Sequence, residues 1–275
     1  MNGARRPFAL KKWLGLGLTL AALLAALGAP WLAAHDPLRT DFAQSLKPPG
    51  APGHVLGTDQ LGRDLLARVL HGARLALFIG GCTVVLTALV GGALGLVAGF
   101  VERWPSTVLM RIADVQLSFP FILLAMTINA IVGLGLRNTI LSLSPAGWVV
   151  YARVVRGEVL SVKQRDYVHA ATALGMSRTR LLLRHVLPNV APSIVVVASL
   201  QFSSFIVAEA AISFLGFGIQ PPTPAWGSML SESRDFLYFA WWLALFPGGA
   251  LALTALGVNL LGDWLRDVMD PKLRV

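Results

Sequence analysis

A single cysteine, Cys82, is all the thiol chemistry in this chain of 275 residues. That excludes an internal disulfide and a cysteine-based metal site, and its place inside an apolar run suits a small packed side chain. Charge is scarce as well. Asp, Glu, Lys and Arg make up 13% of the residues, against about 25% in soluble domains. Only five lysines occur, at positions 11, 12, 47, 163 and 272, and none completes a G-x-x-x-x-G-K-[ST] loop, so the chain cannot cradle nucleotide phosphates in that way. There is no H-E-x-x-H, and the five histidines are scattered. No set of nucleophile, base and metal ligands converges, which argues against an enzyme and leaves no cofactor or metal to assign to this chain.

What the chain has in abundance is oil: 55% of its residues are hydrophobic. Uncharged runs cover 13–34, 75–101, 115–136, 186–208 and 236–262, each long enough for a membrane helix of about 18 or more residues. A further run, 138–152, spans only if Arg153 and Arg156 snorkel and the helix continues to Leu160. The expectation is an all-α membrane protein with six transmembrane helices in contact with the lipid bilayer. The first run also has signal-peptide features, with Arg5, Arg6, Lys11 and Lys12 ahead of it and Leu32-Ala33-Ala34 at its end. It exceeds the usual apolar core of about 7–15 residues, so a retained helix is the reading preferred.

The net charge of +9 would raise nucleic acid in a soluble chain. Here basic residues mark the cytoplasmic ends of membrane helices, and no nucleic-acid partner is expected. With the N-terminus inside, the inner segments hold 16 of the 23 Lys and Arg and the outer ones 7. Both termini are then cytoplasmic. Three regions follow: 1–74 with the first helix and an outer loop, 75–265 as the transmembrane domain with a charged inner loop over 156–190, and a cytoplasmic tail over 266–275.

Within the outer loop, Pro48, Pro49, Gly50, Pro52 and Gly53 make the middle irregular. From Arg63 the pattern turns helical, with Leu65, Leu66, Val69, Leu70 and Ala73 on one face and Arg63, Asp64, Arg68, His71 and Arg74 elsewhere. This predicts an amphipathic helix on the membrane surface. Gly91, Gly95 and Gly99 recur every four residues, a spacing that lets two membrane helices approach closely. Asn129 suits a hydrogen bond between helices. Glu209, with Gln201 two turns earlier, is the costly residue of the fifth run. It belongs either to a substrate path or gate, or to a structural pairing near a helix end.

The stretch 165–189, RDYVHAATALGMSRTRLLLRHVLPN, concentrates charge between apolar runs. It reads as two short helices. The first ends near Leu174, where Gly175 suits a left-handed exit. Ser177 can cap the second, and Pro188 is expected to end it. Ala170, Ala171, Ala173 and Gly175 form a flat patch that fits a partner's groove, and Arg178, Arg180 and Arg184 suit an acidic rim. A solvated loop without a role is the alternative.

This stretch resembles the cytoplasmic EAA loop of permease subunits in bacterial ATP-binding-cassette importers. Ala170, Ala171 and Gly175 match that pattern; nine residues follow, Met176 to Arg184, then the positions of His185 and Val186, and then Leu187-Pro188 match. His169 stands where the family usually has Glu, so the usual salt link to the ATPase lacks its carboxylate. His185 stands at a generally apolar position, as in the dipeptide/oligopeptide/nickel branch. HVLGTDQLGRDLLARVLHGARLAL, AEAAISFLGFGIQPPTPAWGSML and LLGDWLRDVMDPKLRV resemble the same branch, and its C-type subunit in particular.

The resemblance implies the type I importer permease fold in a bacterial cytoplasmic (inner) membrane. It implies a heterodimer with a second homologous permease, two cytoplasmic ABC ATPases that use the ATP, and an extracytoplasmic solute-binding protein delivering di- or oligopeptides. The 165–189 stretch becomes the ATPase-coupling loop. A nickel or other small-solute importer is the alternative within the class. A channel or secondary transporter that needs no ATPase is the alternative from another.

Overall fold

The computed structural model describes residues 5–101 and 104–269. Among the described residues there are helices and no strands. The long helices are α1 (Arg5–Leu32), α2 (Leu65–Phe100), α3 (Trp104–Leu117), α4 (Phe121–Val132), α5 (Leu136–Lys163), α8 (Leu187–Phe214) and α10 (Trp242–Met269). The short ones are α6 (Asp166–Ala173), α7 (Arg178–Leu181) and α9 (Trp226–Glu232). Most of the expected tail over 266–275 lies outside the described residues.

Four helical stretches are long and apolar enough to cross a membrane, and α3 with α4 makes a fifth as a pair bent by 91°. The run expected at 115–136 is therefore not one straight helix. Pro120 lacks an amide hydrogen and holds Phe119 away from helical geometry, so the chain turns between Ser118 and Pro120. α5 is not apolar enough to count among these stretches; it is the sixth expected helix by length and packing alone, with 28 residues that reach about 42 Å at 1.5 Å per residue. Two of its three arginines are paired with α3: Arg153 with Asp114 and Arg156 with Ser106.

Glycine fixes the order of packing. The Gly91–Gly95–Gly99 stripe of α2 lies on α5, where an added Cβ would sit 2.3 Å from the Trp148 carbonyl oxygen, 2.6 Å from that of Ala152 and 2.6 Å from the Val159 Cβ. The numbers rise together on both helices, so α2 and α5 run parallel. This is why the bent pair must return the chain between them. On the other side, α1 lies antiparallel along α10, with Gly15 against Leu260 and Gly257 against Leu18. The first run is thus docked as a bundle helix. Alternation of the crossings puts the 165–189 stretch at the same end of the bundle as the start of α1 and the end of α10.

The opposite end carries the loop between α1 and α2 and the segment around α9. Here the expected surface helix is absent as a separate element. It forms the first turns of α2, which continues unbroken for 36 residues, about 54 Å. Arg63 and Arg68 are buried rather than exposed on a polar face.

Candidate functional site

The charged stretch folds as a helix, a glycine turn and a second helix. α6 ends at Gly175, whose φ is +79°. Its amide donates to the Thr172 carbonyl and that of Met176 to the Ala171 carbonyl. These two bonds close the C-terminus of α6 in the arrangement that glycine permits and other residues resist. Ser177 stands at the N-cap of α7, although its side chain makes no capping hydrogen bond.

The second helix does not stop at Pro188. It passes through a widened turn over Leu182–Val186 and continues as α8. In the widened turn the Leu187 amide bonds to the Leu182 carbonyl, five residues back. That shifts the carbonyls which the proline ring would otherwise strike. The second helix of the charged unit and the membrane helix are thereby one rod of 37 residues, Arg178–Phe214, so a push on that helix reaches the bundle directly.

Apolar anchors hold the unit to the bundle. Val168 and Ala171 from α6, and Leu181, Val186 and Val190 from the rod, pack with Val155, Val159 and Val162 at the end of α5; Met176 adds to the same cluster. Arg165 also donates to the Asn189 side chain at 3.3 Å. The outward face carries His169, Ala170, Ala173 and Gly175, with Leu174 88% exposed. Arg178, Arg180, Arg184 and Pro188 are exposed as well, and Leu187 is half-buried. An added Cβ at Gly175 would meet nothing within 4 Å. The sequence-predicted residues therefore divide into an inner set that anchors and an outer set that is free to dock.

Gln201 and Glu209 share α8 but not a site. Gln201 is half-buried. Glu209 is 1% exposed and accepts from the Ser213 hydroxyl at 2.7 Å, while that oxygen accepts from the Ile219 amide at 2.9 Å. The carboxylate thus organises the turn that leaves α8. Asn129 joins the same region, donating to the Phe217 carbonyl at 3.0 Å.

A comparison of families matches residues 91–275 to the family described as "Binding-protein-dependent transport system inner membrane component". The chain belongs to that family. The permease is 44% identical to the di/tripeptide transport system permease protein DppC of Pseudomonas aeruginosa, over 94% of its own length and 88% of the relative's. It is 41% identical to the glutathione transport system permease protein GsiD of Pectobacterium atrosepticum, over 94% and 86%. It is 38% identical to the oligopeptide transport system permease protein OppC of Bacillus subtilis, over 94% and 85%. The permease has the type I importer permease fold and is a multi-pass membrane subunit of a binding-protein-dependent transporter.

Reading the sequence missed a second polar centre of the permease, at the opposite end of the bundle. Asp59 accepts from Arg63 and pairs with Arg68, and both arginines reach Glu232 of α9. Trp226 fills the space beside Gly72 and donates to the Val69 carbonyl at 3.0 Å. The available signal was the balance of charge: four Asp against five basic residues between 35 and 74.

Proposed function

We propose that the chain is the C-type permease of an ATP-driven importer of di- and oligopeptides. It pairs with a second homologous permease, and two cytoplasmic ABC ATPases supply the energy. A solute-binding protein delivers the peptide to the face formed by the α1–α2 loop and the α9 region. Both termini and the charged unit lie on the cytoplasmic side, in keeping with the excess of Lys and Arg there. The chain binds no cofactor or metal of the transport cycle itself and performs no catalysis; ATP belongs to the partner subunits.

One observation carries this reading: α6 and its glycine turn present an exposed alanine–glycine patch, joined through that turn to a rod, Arg178–Phe214, that runs on as α8. The outer residues His169, Ala170, Gly175 and Pro188 dock in the ATPase. Ala171, Met176 and Leu187 seat the unit on the bundle. Closure of the ATPases then moves the unit, and α8 carries the movement to the far end. A two-state bundle biased in this way is a recognised type of switch. Glu209 acts at that far end, at the gate, by holding the turn after α8, and Gln201 lines the path below it. The peptide class is supported by relatives of 38–44% identity named for peptide and glutathione transport.

The test is uptake of labelled di-, tri- and longer peptides in cells lacking the gene, complemented with wild type or Gly175→Trp. Deletion should remove uptake and wild type should restore it, while the variant should be present in the membrane yet inactive. Unchanged uptake after deletion, with every other peptide importer also removed, would refute the peptide assignment.

A further inference from the structure

The loop between α1 and α2 brings together three side chains that the transport reading leaves unused. His54 Nδ1 lies 2.8 Å from Asp64 Oδ1, and His35 Nδ1 lies 3.8 Å from the same oxygen. The two imidazole centroids are 4.9 Å apart. One ligand atom from each of the three residues falls within 4.8 Å of the others.

A hydrogen bond explains His54 and Asp64. It does not explain His35, whose nitrogen is beyond hydrogen-bonding reach of the carboxylate and still converges on it. Two imidazoles and a carboxylate are the donor set of zinc and its first-row neighbours. Bonds of about 2.0–2.2 Å in a tetrahedral site put ligand atoms roughly 3.4 Å apart, so small side-chain rotations suffice. We propose that His35, His54 and Asp64 form a site for a divalent first-row transition-metal ion that staples the end of α1 to the start of α2.

The surroundings suit a cation. Asp64 is nearly fully buried, and its second oxygen accepts from the Ala67 amide at 2.8 Å as the N-cap of α2. This outer hydrogen bond fixes the carboxylate with its first oxygen toward the histidines, as supporting partners do for metal ligands. The group opens on a cavity of about 190 Å³ whose wall includes Asp36, Asp41 and Arg39. With Asp64, that makes three carboxylates against one guanidinium. The cavity supplies the open side where water completes the coordination.

The staple has a mechanical meaning. Asp64 caps the helix whose first turns carry Arg68, and Arg68 reaches Glu232 of α9. An ion at Asp64 therefore stiffens the whole outer face.

The experiment uses the full-length chain without a histidine tag, in nanodiscs, stripped with a chelator and titrated with Zn²⁺ by calorimetry. The expected result is one ion per chain and a higher unfolding temperature when zinc is present. Losing a supporting partner of a metal ligand costs about 10–100-fold in affinity, and His35→Ala and His54→Ala should each lose more than that. His35 is half-buried, so its variant should unfold at the wild-type temperature without metal. His71→Ala, which alters a histidine about two turns beyond Asp64 along α2, should bind zinc like wild type. Absence of zinc binding would overturn the proposal. So would zinc binding that His35→Ala and His54→Ala leave unchanged, which would mean an adventitious ion only.

Discussion

Arg68, in the first turn of α2, meets Glu232, in the last turn of α9, at 3.3 Å across 164 residues of sequence. Both Arg68 and its neighbour Arg63 are nearly fully buried, and Asp59 completes the group. Buried charges survive only when paired, so this network decides how the outer loop and α9 are held together.

Asp59→Ala should therefore be severe. It leaves two buried guanidinium groups sharing Glu232 alone. Breaking a buried pair by removing one partner costs about 3–5 kcal/mol. Thermal unfolding in detergent should fall sharply, whereas Arg111→Ala, which removes an exposed pair with Asp114, should leave it unchanged.

The α2–α5 contact should not tolerate a side chain. Gly95→Ala puts a methyl 2.6 Å from the Ala152 carbonyl oxygen, and overpacking of this kind costs about 1–3 kcal/mol. Gly17→Ala meets nothing within 4 Å and is the matched control. Unfolding temperatures of the two variants give the comparison, with a loss expected only for Gly95.

Gly175 separates coupling from folding. Its Cβ position is open, so the first side-chain carbon of a replacement clashes with nothing in this chain. Only the left-handed backbone resists, at about 1–2 kcal/mol, and Asn tolerates that conformation best. Gly175→Trp should fold and reach the membrane but lose peptide uptake and co-purification of the ATPase. Gly175→Asn should keep more of both. Equal uptake by the two variants and wild type would remove the docking role.

Glu209 should matter through the turn it holds. Glu209→Gln keeps an acceptor for the Ser213 hydroxyl, while Glu209→Ala leaves that hydroxyl without it. An unmet buried polar group costs about 1–3 kcal/mol. Unfolding temperature should fall for Ala and hardly for Gln. Uptake measured alongside separates the gate role, because a role in gating predicts slower transport in the Ala variant even where the protein level is restored.

What the sequence alone determined was whatever depends on composition and local chemistry. Uncharged runs in 13–34 and 75–101 could only be membrane helices, because lipid offers the backbone no other partners. The four-residue glycine spacing announced a close helix contact, and Gly175 announced a left-handed turn. Each signal acts over a few residues, so each was legible.

The tertiary structure decided what depends on partners distant in the chain. Whether Arg63 and Arg68 faced water or were buried hung on Asp59 and Glu232, and no periodicity in 63–74 reveals a carboxylate 164 residues away. Pro120 broke a run that looked continuous, while Pro188 broke nothing, because a widened turn preceded it. Proline removes one donor in both cases. Whether the helix bends or absorbs the loss is set by the packing on either side, and that exists only once the bundle has formed.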